Sequence, residues 1–123
     1  MSEKSCEEDL FCGINKAKSQ EEMSDLEKKH TPVIEAPKKI VPGETFEVVV
    51  EVGKLLKHPN EHGHFIQWLE LYSGDTFLTR VEFTPKLNEP RIRIPLRLEH
   101  VHDLRAVARC NLHGAWESVH KFE

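Results

Sequence analysis

Two runs of alternating residues, ETFEVVVEV at 44–52 and PRIRIPLRL at 90–98, most narrow what this chain can fold into. A period of two puts Phe46, Val48, Val50 and Val52 on one face with Glu47 and Glu51 on the other, the pattern of a half-buried antiparallel strand. In the second run Ile92, Ile94, Leu96 and Leu98 point inward and Arg91, Arg93 and Arg97 outward, while Pro95 is tolerated best on an edge. HFIQWLELY, TFLTRVEF, DLRAVARC and AWESVHKF supply further strands, punctuated by Ser73-Gly74-Asp75 and Asn88-Glu89-Pro90. About seven short strands at this spacing predict an all-β fold, an immunoglobulin-like antiparallel β-sandwich without the paired-cysteine signature of antibody domains. Period alone leaves a barrel or jelly roll open.

Residues 1–29 differ from the rest: they are rich in Glu, Lys and Ser, hold few apolar anchors and show no strand alternation. They read as a helical or irregular lead-in packed on a single domain at 30–123. Ser5 with Glu8 and Ser19 with Glu22 have capping-box spacing, and Gly13 is placed to end a short first helix from which Leu10 and Phe11 pack onto the body.

A chain of 123 residues has apolar content for one core, and one site is the expectation. Its formal charge of -4, with cations scattered among more numerous carboxylates, argues against a nucleic-acid partner. No apolar run reaches membrane-spanning length, and the acidic start MSEKSCEEDL lacks the regions of a secretory signal, so the cytoplasm is expected. Cys6, Cys12 and Cys110 show no small-disulfide framework, which fits a reducing compartment where a thiolate ligand survives. Cys6 and Cys12 lack the CxxC spacing of an iron knuckle, and no second metal centre is expected.

The chemistry-bearing residues lie in separate stretches. Cys110-Asn111-Leu112-His113 ends a strand and enters a turn, so that thiolate and imidazole reach one ion while following amides point toward sulfur. His58 and His64 flank a loop whose Pro59, Asn60 and Gly63 disfavour regular structure and let both rings converge. His30 lies two residues before Pro32, which pushes Thr31 toward extended geometry and projects His30 from a loop ahead of the first strand. Each alone is weak: a lone CxxH arises by chance, and loop histidines are ordinarily solvated.

Together the stretches KHTP, HPNEHGH and CNLHGAW resemble, in order and spacing, the superoxide reductase family of neelaredoxins and desulfoferrodoxin catalytic domains, over Lys28 to Phe122. That resemblance implies a sandwich fold and one mononuclear non-haem iron, with His30, His58, His64 and His113 equatorial and Cys110 axial. It implies one-electron reduction of superoxide to hydrogen peroxide at an open sixth position. A small electron carrier such as rubredoxin then re-reduces the iron, in a homo-oligomer, a tetramer or dimer. Lys29 is the expected catalytic residue, attracting the anion and organising a proton-bearing water. The family pattern EKH has a glutamate where this chain has Lys28, so Glu27, one residue upstream, is the candidate sixth ligand of oxidised iron, delivered by a flexible loop. His62, His100, His102 and His120 fall outside the ligand pattern.

Three rivals remain at this stage. A copper electron carrier would want an axial methionine, but Met1 and Met23 both sit in the lead-in. A binding module would expose aromatic loops, whereas Trp68, Phe77 and Phe83 sit in strand patterns associated with a core, and Trp116 reads as packing. Dismutation would need ferric iron to oxidise a second superoxide, a partition no residue pattern measures.

Overall fold

The computed structural model describes residues 6–123, so Ser5 lies outside the described residues. After a 3-10 turn at Cys6–Glu8 come β1 (Ile14–Asn15), α1 (Asp25–His30), β2 (Val33–Glu35), β3 (Thr45–Glu51), β4 (Ile66–Ser73), β5 (Thr76–Glu82), β6 (Arg91–Arg97), β7 (Leu104–Cys110) and β8 (Gly114–His120). The strands form two sheets, of order β1-β8-β7-β4-β5 and β2-β3-β6. All pairings are antiparallel except that of β1 with β8.

The core is made where the alternation places it. Val48, Val50 and Val52 from the β3 run and Ile92, Leu96 and Leu98 from the β6 run meet Leu69, Leu71, Leu104, Ala106 and Ala108 of the facing sheet. Pro95 lies opposite Glu47 in β6, which pairs with β3 alone among the described strands, so its missing amide interrupts no second ladder. The outer faces carry pairs such as Arg105 with Glu117 and the Arg80 guanidinium 4.4 Å above Trp68.

The lead-in departs from expectation in three ways. It contributes an eighth, two-residue strand, β1, which alternation cannot reveal at that length. Its α-helix is capped by Ser24 rather than Ser19; the Ser19 hydroxyl accepts from the amides of Glu21 and Glu22 but starts no helix. Cys6 and Cys12 are disulfide-bonded, where no bridge was expected. Amide bonds from Asp9 to the Cys6 carbonyl and from Cys12 to the Asp9 carbonyl curl the chain and bring the two Cα atoms to 5.2 Å, within bridging range. Two aromatics also depart. Phe11 and Phe77 are about half exposed, at 52% and 54%, Phe11 lying under the Arg109 guanidinium.

Candidate metal centre

His30 is the last residue of α1, not part of a loop. Six residues are too few to hold a helix by propensity, and a capping box fixes this one: the Ser24 hydroxyl accepts from the Glu27 amide at 3.1 Å while the Glu27 carboxylate accepts from the Ser24 amide at 2.8 Å. The second oxygen of Glu27 accepts from the Lys18 amide at 2.9 Å. Pro32 prevents continuation beyond Thr31. This corrects the picture of a flexible loop delivering Glu27 to a metal: its carboxylate is held at the N-terminal end of α1, one turn away from His30.

His58 and His64 come from the β3–β4 connection. Gly53 lets that chain fold back, since at φ +90° a side chain would be strained and its Cβ would lie 2.8 Å from the His58 nitrogen. Asn60 ties the loop to the 84–88 turn, donating to the Asn88 carbonyl and accepting from the Lys86 amide. His64 is held by paired amide–carbonyl bonds with Glu61.

Cys110 ends β7, and His113 immediately precedes β8. Asn111 between them staples the two loops together, accepting from the Phe65 amide and donating to the Gly63 carbonyl, both at 2.9 Å. Trp116 Nε1 donates to the His113 carbonyl, and its ring stacks on His30 at 5.2 Å.

The four rings close a cycle: His30 to His58 4.8 Å, His58 to His64 4.9 Å, His64 to His113 5.1 Å, and His113 to His30 4.9 Å. The fully buried Cys110 sulfur lies 3.7 Å from His113 Nδ1. One donor atom each from His30, His58, His64 and Cys110 lie within 4.8 Å of one another. Ligand atoms about 2.0–2.3 Å from a shared ion lie at most about 4.5 Å apart, so little movement separates this arrangement from coordination.

The tautomers point the same way. His30 Nδ1 donates to the Leu26 carbonyl at 2.7 Å and His58 Nδ1 to the Pro59 carbonyl at 2.6 Å, which leaves both Nε2 lone pairs free. The Nε2 atoms of His30, His58 and His64 are buried and have no hydrogen-bond partner. Each such orphan costs about 1–3 kcal/mol, and three converging on one thiol are the signature of a cation site. Burial, followed by the neighbouring imidazoles, pushes His58 down to about 4; burial also takes His30 to about 4 and lowers His64. The rings of His30, His58 and His64 are therefore neutral and ligand-ready at neutral pH. Burial raises the Cys110 thiol, opposed by the Leu112 and His113 amides, so a cation is what would make it a thiolate. Mixed imidazole and thiolate donors suit iron, zinc or copper rather than magnesium or calcium.

Lys29 is half-buried, and its charge is a lesser cause, after burial and the neighbouring imidazoles, of the lowered protonation of His30 and His64. Of the remaining histidines, His100 and His102 pair with each other at 6.4 Å in the β6–β7 connection, and His120 contacts the Pro37 carbonyl. The residues missed by sequence reading are positioning ones, Ser24, Gly53 and Asn111, while Asn60 reads in the sequence as a loop former without its hydrogen bonds to the 84–88 turn. Ser24-Asp25-Leu26-Glu27 carried the same capping signature as the two spacings considered, whereas the asparagine bridges join residues distant in sequence.

Residues 22–119 match the Desulfoferrodoxin family. A relative from Methanocaldococcus jannaschii is 44% identical over 111 residues, covering 87% of this chain and 90% of its own. The superoxide reductase of Pyrococcus horikoshii is 39% identical over 104 residues, covering 77% and 88%. Among solved structures, the superoxide reductase (neelaredoxin) of Ignicoccus hospitalis superposes with a TM-score of 0.78 at 37% identity and covers 98% of both chains. With its sandwich, its cycle of imidazoles and its buried thiol, the chain belongs to the desulfoferrodoxin family.

Proposed function

We propose that this protein is a superoxide reductase, converting superoxide, one electron and two protons to hydrogen peroxide at a single mononuclear non-haem iron. The observation that carries the reading is the convergence of three partnerless buried imidazole nitrogens on the Cys110 thiol. Iron, when bound, supplies the transferable electron through its ferrous and ferric states. His30, His58, His64, His113 and Cys110 would hold it, the thiolate donating electron density.

The chain's own contributions follow from its geometry. The Leu26 and Pro59 carbonyls orient two imidazoles so that their unprotonated nitrogens face inward. Asn111 keeps the His64 and Cys110 loops in register. Lys29 draws the anionic substrate toward the ring cycle and orders the water that carries a proton to the product. Glu27 caps its helix and is not among the groups that would hold the iron.

A rubredoxin-like carrier is the electron donor this reading favours, docking transiently at the open face, and a dimer or tetramer is the assembly. No helix among the described residues is long and apolar enough to cross a membrane. The cytoplasm is the compartment proposed; with Cys6 and Cys12 bridged, the lack of a disulfide framework no longer argues for it. Of the lead-in proposed at 1–29, the described residues 6–29 brace a catalytic domain of residues 30–123.

The test is metal analysis with visible spectroscopy of the oxidised protein, wild type against Cys110→Ser. Iron at one per chain and a thiolate-to-iron band in the wild type, with band and superoxide consumption both lost in the variant, are expected. A natively zinc-filled site whose iron form consumes no superoxide would end the reading.

A further inference from the structure

The pair Cys6 and Cys12 has no part in the chemistry above, yet it sits where the lead-in grips the metal-ligand loops. Both cysteines are exposed, and with Gly13, Ile14, Asn15 and Lys18 they line one shallow groove. The disulfide closes a loop that presents the Leu10 carbonyl to Gly114, the residue after His113, so closely that a Cβ on Gly114 would collide with it. Asn15 Nδ2 clamps this contact, donating to the Leu10 carbonyl at 2.7 Å and to the Ala115 carbonyl at 2.9 Å. Farther along, the Lys18 amide donates to Glu27, whose carboxylate caps the helix ending in His30. The bridged loop therefore touches the residue after His113, and the lead-in that follows it reaches the cap of the helix ending in His30.

We propose that Cys6 and Cys12 form a peroxide-responsive dithiol–disulfide couple, a modification site oxidised by hydrogen peroxide, whose closed form locks the lead-in against Gly114 and Ala115. That the peroxide arises at the neighbouring centre rests on the reductase reading; the couple itself does not. The step balances with hydrogen peroxide as the two-electron oxidant. One thiolate attacks the peroxide, breaking its oxygen–oxygen bond to give a sulfenic acid and hydroxide; the second thiol then attacks that sulfur, forming the disulfide and releasing water. A dithiol reductant reopens the loop by exchange through a mixed disulfide. Exposure gives both reagents access.

The test uses wild-type holoprotein, reduced with dithiothreitol, freed of reductant and given about two equivalents of hydrogen peroxide, enough for the cysteine pair and for any ferrous iron the reductant has left. Two thiols per chain should disappear, peptide mapping should show an intramolecular Cys6–Cys12 link, and Cys12→Ser should form none. Hydrogen exchange in peptides spanning residues 110–117 should be about five- to tenfold slower in the disulfide form than in the dithiol form. Persistent thiols, sulfinic acid at either cysteine, a link between chains, or identical exchange in the two forms would overturn the proposal. Because the peroxide is added as reagent, failure here leaves the superoxide assay standing, and failure of that assay leaves this result readable.

Discussion

At the residue scale, the acidic chain makes a local cation matter more than net charge. Superoxide is an anion approaching a protein of formal charge -4, and Lys29 is the ammonium whose field reaches His30 and His64. Lys29→Gln should lower the second-order rate with superoxide about tenfold and flatten its dependence on ionic strength, while Lys29→Arg restores both; pulse-generated superoxide in graded salt reads this directly. An unchanged rate in the glutamine variant would make Lys29 one more solvated lysine. Glu27 has the opposite character, a carboxylate spent on structure. Its amide partners at Ser24 and Lys18 hold it below the ordinary value of 4.5, so it contributes stability above that pH and loses it as pH falls through the folded value. The unfolding gap between wild type and Glu27→Gln should be full at neutral pH and close in acid. Glu27→Ala should cost about 1 kcal/mol by denaturant titration and leave the oxidised visible spectrum and superoxide consumption largely intact. Collapse of either would mean the carboxylate leaves its cap to reach the metal.

At the scale of elements, the long strands were legible because burial of one face imposes a period of two, and β3 and β6 obey it residue by residue. The metal-bearing stretches were legible as motifs, although nothing in a linear sequence says that rings separated by tens of residues close a cycle. What could not be read was short or cooperative. The strand β1 has two residues and takes its register from β8, and α1 is one capped turn and a half. The Cys6–Cys12 bridge depends on a curl of the backbone rather than on spacing. Gly114 joins these levels, ending the ligand turn at φ +79° with the Leu10 carbonyl against it. Gly114→Ala should therefore destabilise the protein by about 2–3 kcal/mol through backbone strain and displacement of Leu10. The same change should loosen iron retention because His113 is next in the chain; denaturant midpoints and iron content after dialysis would show both. Full iron retention with wild-type stability would mean that the lead-in can shift aside freely.

On the scale of the whole molecule, the question is whether the centre holds the fold or the fold holds the centre. The apolar cluster runs through the middle of the sandwich, from Val48 and Leu96 on one sheet to Leu71 and Leu104 on the other; Cys110 belongs to both that cluster and the donor group. The loops that deliver His58 and His64 are fastened by side-chain hydrogen bonds of Asn60 and Asn111 to backbone groups. This differs from a small zinc domain, whose unfolded state is the only state without metal. Removing iron under reducing conditions with a strong chelator should leave far-ultraviolet circular dichroism nearly unchanged. It should lower the melting temperature by about 10 °C, because ligand at a hundredfold its dissociation constant contributes about 2.7 kcal/mol to a domain of this size. The stripped protein should also recover its band when ferrous iron is returned and oxidised, since the pocket is pre-shaped. Loss of the β-sheet signal on chelation would reverse the hierarchy: the buried imidazoles, left without a cation, would then cost more than the apolar cluster supplies.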